Sequence, residues 1–218
     1  MILVQISSNA WLCDRLLFTA PRWAVLTAAN LHSMDDRQLV EAALQDGQAY
    51  ALIVLRYEAA LARYVRRLLG HQLQATEDVL QEIFIKAYVN LNDYDRSRPF
   101  SPWIYRIAHN ETISFLRKHN IERQTITGED ALAILERVAD GDDPAAAWQR
   151  KRTEGEVREA LSKLDRRYRD VLVLRYLEEK SYDEIADILE MPPGTVATLI
   201  NRGLKQLQTP LRMTWGAV

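Results

Sequence analysis

The stretch SYDEIADILEMPPGTVATLINRGLKQL, Ser181 to Leu207, decides how the rest of the chain is read. It holds two short helical patterns broken at Met191-Pro192-Pro193-Gly194. Ser181 and Glu184 have the spacing of a capping box, and Tyr182, Ile185, Ala186 and Leu189 recur at i, i+3, i+4 and i+7, the period of a buried helical stripe. After the turn, Thr195 is suited to cap a second helix whose Val196, Ile200, Leu204 and Leu207 share one face. Thr195, Thr198, Arg202 and Lys205 occupy the other. Such a small, polar face fits the major groove, where hydroxyls meet several base edges and arginine pairs with guanine. A helical hairpin without nucleic acid has the same pattern. The second helix also carries only two basic residues, Arg202 and Lys205, so its hold on a phosphate backbone is weak.

Composition agrees with that weakness. The chain has 218 residues, 48% of them hydrophobic and 27% charged, which suits one or two modest globular domains rather than a disordered protein. Its formal net charge of -2 and isoelectric point near 6.1 exclude nucleic-acid binding by bulk electrostatics. Any DNA contact must be local or assisted. A lone cysteine, Cys13, excludes an internal disulfide framework and fits a reducing compartment, with the cytoplasm as the default.

Outward from the opening motif, nearly every segment from Met34 onward has helical periodicity, and the expected fold is all-α. Residues 34-120 form one group of helices and residues 154-212 a second, a four-helix domain containing the helix-turn-helix. Between them, residues 121-153 hold Glu122, Glu129, Asp130, Glu136, Asp140, Asp142 and Asp143, an acidic linker read as a solvated tether with one helical turn around ALAILERV. Residues 1-33 are apolar but interrupted by Asn9, Asp14, Arg15 and Arg22, and contain neither a membrane span nor an export signal. Two readings stand for them: an extension preceding a true start at Met34, or a short extra helix packed on the body.

Two further patches lie in the first group. From Arg96 to Asn120, Arg96, Arg98, Arg106, Arg117 and Lys118 face the single acid Glu111 and interleave with Phe100, Trp103, Tyr105 and Phe115. On a helix starting near Pro102, Ile104, Ala108 and Phe115 form the inner stripe and Arg106, Asn110 and Arg117 the opposite side, with Trp103 at the border. Aromatics beside arginines suit single-stranded nucleic acid, because each base-aromatic stack contributes roughly 1–3 kcal/mol whatever the base. Core packing is the bland alternative for each aromatic taken singly. The other patch, ATEDVLQEIFIKAYVNL, turns Val79, Ile83 and Ala87 inward and Asp78, Gln81, Glu82 and Lys86 outward.

In this order the three patches resemble the bacterial RNA polymerase sigma factors, in particular the small extracytoplasmic-function (ECF) group, over roughly residues 35-120 and 156-207. EDVLQEIFIKAY is similar to the family's polymerase-clamp helix, FSPWIYRIAHN to its promoter-opening segment, and YRDVLVLRYLEEKSYDEIADIL with PPGTV to its promoter-reading domain. The resemblance implies that Asp78, Gln81 and Glu82 bind core polymerase. It implies a flipped minus-ten base in a pocket between Asn92 and Phe100, with Arg96, Arg98, Trp103, Arg106, Asn110 and Arg117 on the same DNA. It puts Thr195, Thr198, Leu199, Arg202 and Lys205 at the minus-thirty-five element. An anti-sigma factor is a further implied partner, and the family's linker runs through the polymerase active cleft. Glu190 stands where the family often has Gly, and Ala197 and Leu199 where Lys and Arg are frequent, which bears on promoter choice.

Other classes require features this chain lacks. His32, His71, His109 and His119 are scattered, and neither an HExxH pattern nor a phosphate-cradling Gly-Lys-Ser/Thr loop occurs, so no catalytic residue, metal ligand or cofactor is assigned. A stand-alone helix-turn-helix regulator is the principal alternative, and an adaptor built only for protein contacts a third.

Overall fold

The computed structural model describes residues 34-70, 73-119, 133, 134, 137 and 165-213. The 1-33 extension, most of the acidic linker and residues 154-164 lie outside the described residues, as does the linker's expected polymerase-cleft path.

Helix α1 (Asp36–Gln45) begins as the two aspartates dictate. The Asp35 carboxylate accepts from the Gln38 amide while the Gln38 side chain accepts from the Asp35 amide, and Asp36 complements the helix dipole in the first turn. A 3-10 turn (Gly47–Ala49) leads into α2 (Tyr50–Leu69), which stops at Gly70 with φ 62°, a left-handed conformation that glycine adopts without strain. Helix α3 (Thr76–Val89) and a 3-10 turn (Leu91–Asp93) then lead to α4 (Phe100–Lys118). Tyr64, Ile53, Leu61, Leu68, Ile83 and Ile104 are fully buried among these four helices. Helix α4 starts at Phe100, two residues before the expected Pro102, because Phe100 itself is buried against Tyr57 and Tyr94 and anchors the first turn.

In the second unit, α5 (Arg166–Leu172) is capped by Asp165 and runs into a π-helical turn (Val173–Leu177) closed by the Glu178 amide on the Val173 carbonyl. Then come α6 (Tyr182–Leu189) and α7 (Pro193–Met213). Of the four helices expected in residues 154-212, these three are described. Gly203 lets α7 cross α5 closely: a Cβ there would sit 3.1 Å from both Leu172 Cδ1 and Tyr168 Cβ. No strand occurs among the described residues, and the fold is all-α. Helix α6 also packs on α4, so buried side chains run without a break from one unit to the other.

Three local expectations are corrected. Tyr182 does not join the buried stripe of α6: it is 41% exposed with the Arg175 guanidinium 5.2 Å from its ring centre, while Ile188 is buried beside Ile185 and Ala186. The side of α6 that meets α4 and α7, rather than its own apolar period, decides which residues are covered. Thr195 does not cap α7. Pro193 opens that helix, its missing N–H costing nothing there, and the Thr195 and Val196 amides both reach the Pro192 carbonyl. The helical turn expected around ALAILERV is present at the described positions, but it is no free tether: Ile134 is fully buried, and Arg137 donates to the Tyr176 carbonyl and pairs with Glu179 at 2.8 Å.

Candidate nucleic-acid interface

Helix α3 delivers its two faces as its period requires. Val79, Ile83 and Ala87 are buried, Asp78 and Glu82 are exposed, and Gln81 is half-buried beside them. The polar row continues into an apolar one, since Ile85, Tyr88 and Val89 are exposed as well. Lys86 reaches Glu111 of α4 at 2.6 Å and ties the two helices together.

The segment between α3 and α4 folds around aromatic side chains. Tyr94 is buried, its hydroxyl donates to the Arg98 carbonyl, and burial first of all holds its pKa above the ordinary value. Asp95 accepts from both the amide and the hydroxyl of Ser97, and these hydrogen bonds lower its pKa. The result is a preformed loop that leaves Arg96 and Arg98 exposed. Beside it opens a cavity of about 400 Å³, walled on one side by Tyr94, Arg96, Ser97, Arg98 and Phe100 and on the other by Asp35, Asp36, Val40 and Glu41 of α1 and its cap. That volume lies within the range of small-ligand pockets.

The α1 wall escaped the sequence reading. Its rigidity comes from Asp36, which accepts from Tyr57 Oη at 2.5 Å and from Arg56 at 3.3 Å. Burial and then the Asp36 hydrogen bond push the Tyr57 hydroxyl pKa upward, so the hydroxyl stays protonated and donates to Asp36. An acid in a first helical turn signals a dipole partner; nothing local in the sequence tells that it faces a loop about sixty residues away.

On α4, Ile104 and Ala108 are buried as expected and Phe115 is half-buried, its ring centre 4.2 Å from that of His119 and tilted by 33°. Asn110 and Arg117 are exposed. Trp103 is half-buried, its ring 5.3 Å from both Tyr94 and Phe100, so it completes an aromatic cluster while keeping an edge open. Arg98 and Arg106 do not stand alone. Arg98 lies 3.4 Å from Asp187, and Arg106 3.8 Å from Glu190 of the second unit.

The α6–α7 pair has helix-turn-helix form. The capping box of Ser181 and Glu184 is complete. Glu190 ends α6 at φ 52°, the left-handed position at which glycine is the default, which accounts physically for the glycine that the resemblance expects there. On α7, Val196 and Ile200 are buried, whereas Thr195, Thr198, Arg202 and Lys205 are exposed on one side. Leu199 is half-buried and packs against the core, so only part of it belongs to the exposed face. The Thr198 hydroxyl donates back to the Gly194 carbonyl at 2.8 Å.

An acidic-polar helix, a loop pocket beside a basic and aromatic helix, and a helix-turn-helix together define a protein built for several simultaneous contacts in transcription. Family models give that class its name: Sigma-70 region 2 matches residues 53–121, and Sigma-70, region 4 matches residues 154–207. The ECF RNA polymerase sigma factor SigW of Bacillus subtilis is 39% identical over 171 residues, covering 77% of this chain and 91% of that protein. The RNA polymerase sigma-H factor of Pseudomonas aeruginosa is 33% identical over 182 residues, covering 81% and 94%. Among solved structures, CnrH in complex with the cytosolic domain of CnrY aligns at TM-score 0.57 with 27% identity, over 82% of this chain and 97% of that one. RpoE of Bartonella quintana, solved with the anti-sigma factor NepR, shares the fold at TM-score 0.51 and 21% identity, over 75% and 96%.

The chain belongs to the ECF group of the sigma-70 family. It is a sigma factor, which binds core RNA polymerase, directs it to specific promoters and helps open the DNA for initiation, and sigma factors are regulatory rather than catalytic. The stand-alone regulator reading is not favoured.

Proposed function

We propose that the three faces divide the work of a sigma factor. Asp78, Gln81 and Glu82 bind core polymerase. The cavity beside Arg96 and Arg98 takes an unpaired base of the minus-ten element, with Trp103, Arg106, Asn110 and Arg117 along the same strand. Thr195, Thr198, the exposed part of Leu199, Arg202 and Lys205 meet the minus-thirty-five element. The observation that carries this division is the preformed pocket between α1 and the Tyr94–Phe100 loop, flanked by arginines and roofed by aromatics. A flipped base offers a π-face to stack and polar edges to bind, the two chemistries such a pocket supplies.

The residue boundaries go with this reading: residues 34-120 form the melting and polymerase-binding domain, 121-153 the linker and 154-212 the promoter-reading domain. The chain catalyses nothing itself and works in the cytoplasm, where polymerase and promoter are; no helix among the described residues is long and apolar enough to cross a membrane. Control by an anti-sigma factor is part of the proposal, supported by the RpoE–NepR pairing of a structural neighbour.

Transcription from a promoter library with purified core polymerase tests it. Arg98→Ala with Arg106→Ala should abolish opening while leaving promoter selection upstream of the melted region intact. Opening at the wild-type rate by that variant would remove α4 from the DNA.

A further inference from the structure

Helix α3 is apolar on both sides at its C-terminal end. Its inward residues Ile83 and Ala87 are fully buried, yet Ile85, Tyr88 and Val89 stay 47%, 50% and 68% exposed. Ile85 and Val89 stand four residues apart and share one helical face, and Asp78 and Glu82 lie seven residues before them on that same face. The outward row therefore runs from acids to an uncovered apolar end. That end is firmly held: the Tyr88 ring meets Tyr50 edge-on at 5.0 Å, and the Tyr50 hydroxyl donates to the Phe84 carbonyl at 2.7 Å. Covering it is favourable, because apolar area removed from water is stabilising.

A segment suited to cover it belongs to the same chain. Residues 1-33 precede both the described residues and the matched Sigma-70 region 2, and they carry Trp11, Leu12, Leu16, Leu17, Phe18 and Trp23. The point where they join the fold is fixed, since Arg56 donates to the Met34 carbonyl at 2.7 Å. Arg56 stands six residues along α2 from Tyr50, about 9 Å of helix rise, and Tyr50 touches Tyr88. With side-chain lengths added, the join lies on the order of 25 Å from the row, which about eight extended residues span. Thirty-three are present.

Charge points the same way. The extension has Arg15 and Arg22 against Asp14 alone, whereas α3 offers Glu77, Asp78 and Glu82 while its one lysine, Lys86, is held by Glu111. A second copy of this chain pairing symmetrically through the same row would set those acids against one another. Resting on the proposed binding of core polymerase by Asp78, Gln81 and Glu82, we infer that residues 1-33 dock on the α3 row and compete with polymerase for it. Apolar side chains of the extension cover Ile85, Tyr88 and Val89, and its arginines meet the acids. Polymerase then binds only the undocked fraction, and its apparent affinity is lowered by that fraction.

Cross-linking of the full chain tests the docking. In a Cys13→Ala background, a benzophenone attached at Asn90→Cys, exposed beside Val89, should on illumination of dilute protein bond to residues 1-33 of the same molecule. The same label at the exposed Asn201→Cys of α7 should not. Capture confined to residues around position 90 overturns the docking. Cross-links that grow with protein concentration put a second copy on the row and overturn it as well. Competition is read as core-polymerase affinity in a pull-down titration. Leu16→Ser with Leu17→Ser and Phe18→Ser, all outside the described helices, should abolish the cross-link and raise affinity by roughly three- to tenfold. Affinity that stays the same or falls overturns the competition. If α3 does not bind polymerase at all, replacing Asp78, Gln81 and Glu82 by Ala leaves polymerase binding intact, whereas the cross-links to residues 1-33, which need no polymerase, still form.

Discussion

Helices α4 and α7 carry the residues proposed to meet the promoter, and they are built on opposite plans. The α4 side is rich in arginine and aromatic rings, and its arginines are engaged by Asp187 and Glu190 of the other unit. The α7 side offers two hydroxyls, Arg202 and Lys205, and all four residues are exposed. The difference is one of affinity. On the proposed roles, Arg202 and Lys205 would neutralise about two phosphates, with a log-log salt slope near -2, fewer than the arginines of the α4 side. The charge-poor helix should therefore select sequence only when polymerase and the first unit hold the DNA beside it, so that its weak contacts act at high effective concentration.

The largest effect should come from removing what holds the α7 side up. Arg169 and Asp170 of α5 lie 3.8 Å apart with side chains 3% and 10% exposed. Asp170→Ala leaves a buried guanidinium without that partner and should cost about 3–5 kcal/mol, read by chemical denaturation. Promoter selection upstream should fail while polymerase binding through α3 survives. A loss below about 1 kcal/mol would mean that the pair is replaced by water or by neighbours.

Next is Trp103, which packs on Tyr94 and Phe100 and is proposed to stack on the strand. Trp103→Ala should lower stability by about 2 kcal/mol, less than a fully buried tryptophan because one edge is open. It should also slow open-complex formation more than initial binding, with Trp103→Phe recovering most of the rate. Equal losses at both steps would leave Trp103 a packing residue alone.

Neither face should function without polymerase, so replacing Asp78, Gln81 and Glu82 together by Ala should weaken core binding by roughly tenfold or more with little change in melting, since the exposed Asp78 and Glu82 contribute under about 0.5 kcal/mol each to folding and Gln81 is only half-buried. Unaltered affinity in a pull-down would move the polymerase contact elsewhere.

A smaller change sharpens the charge argument. Leu199→Arg should raise non-specific DNA affinity and steepen the salt slope by about one unit. Because Leu199 is half-buried, part of that gain is offset by lost packing, and a slope unchanged within error would show the new guanidinium held away from DNA.

The smallest effect is on pH. Burial, outweighing the Tyr105 hydrogen bond and the nearby Arg67 and Arg63, raises the Glu178 pKa above the ordinary carboxylate value. The folded chain therefore binds more protons than the unfolded one, so stability should fall as pH rises from the ordinary carboxylate pKa to the raised one. Chemical denaturation followed across that range should show the fall. Glu178→Gln should flatten the dependence.

Much was legible locally. Ser181 with Glu184, and Asp35 with Gln38, announce helix starts because a cap is satisfied within three residues. The inward rows Val79, Ile83, Ala87 and Val196, Ile200 follow from helical period alone. Tyr182 shows the limit: period assigns it to a stripe, but whether a stripe residue is covered depends on where the neighbouring helix ends. The three patches were found, and their residues fall on exposed or half-buried surface, because amphipathic helices separate polar from apolar side chains wherever they dock.

The sequence by itself determined the helices, their faces and the family, since caps, periods and motifs act over a few residues and survive any packing. Only the tertiary structure decided that Asp36 and Glu41 wall the pocket beside Arg96, and that Asp187 and Glu190 occupy Arg98 and Arg106. Those partners are separated by dozens of residues. Which charges meet across such distances is set by how α6 packs on α4, a matter of shape and burial that no local pattern encodes.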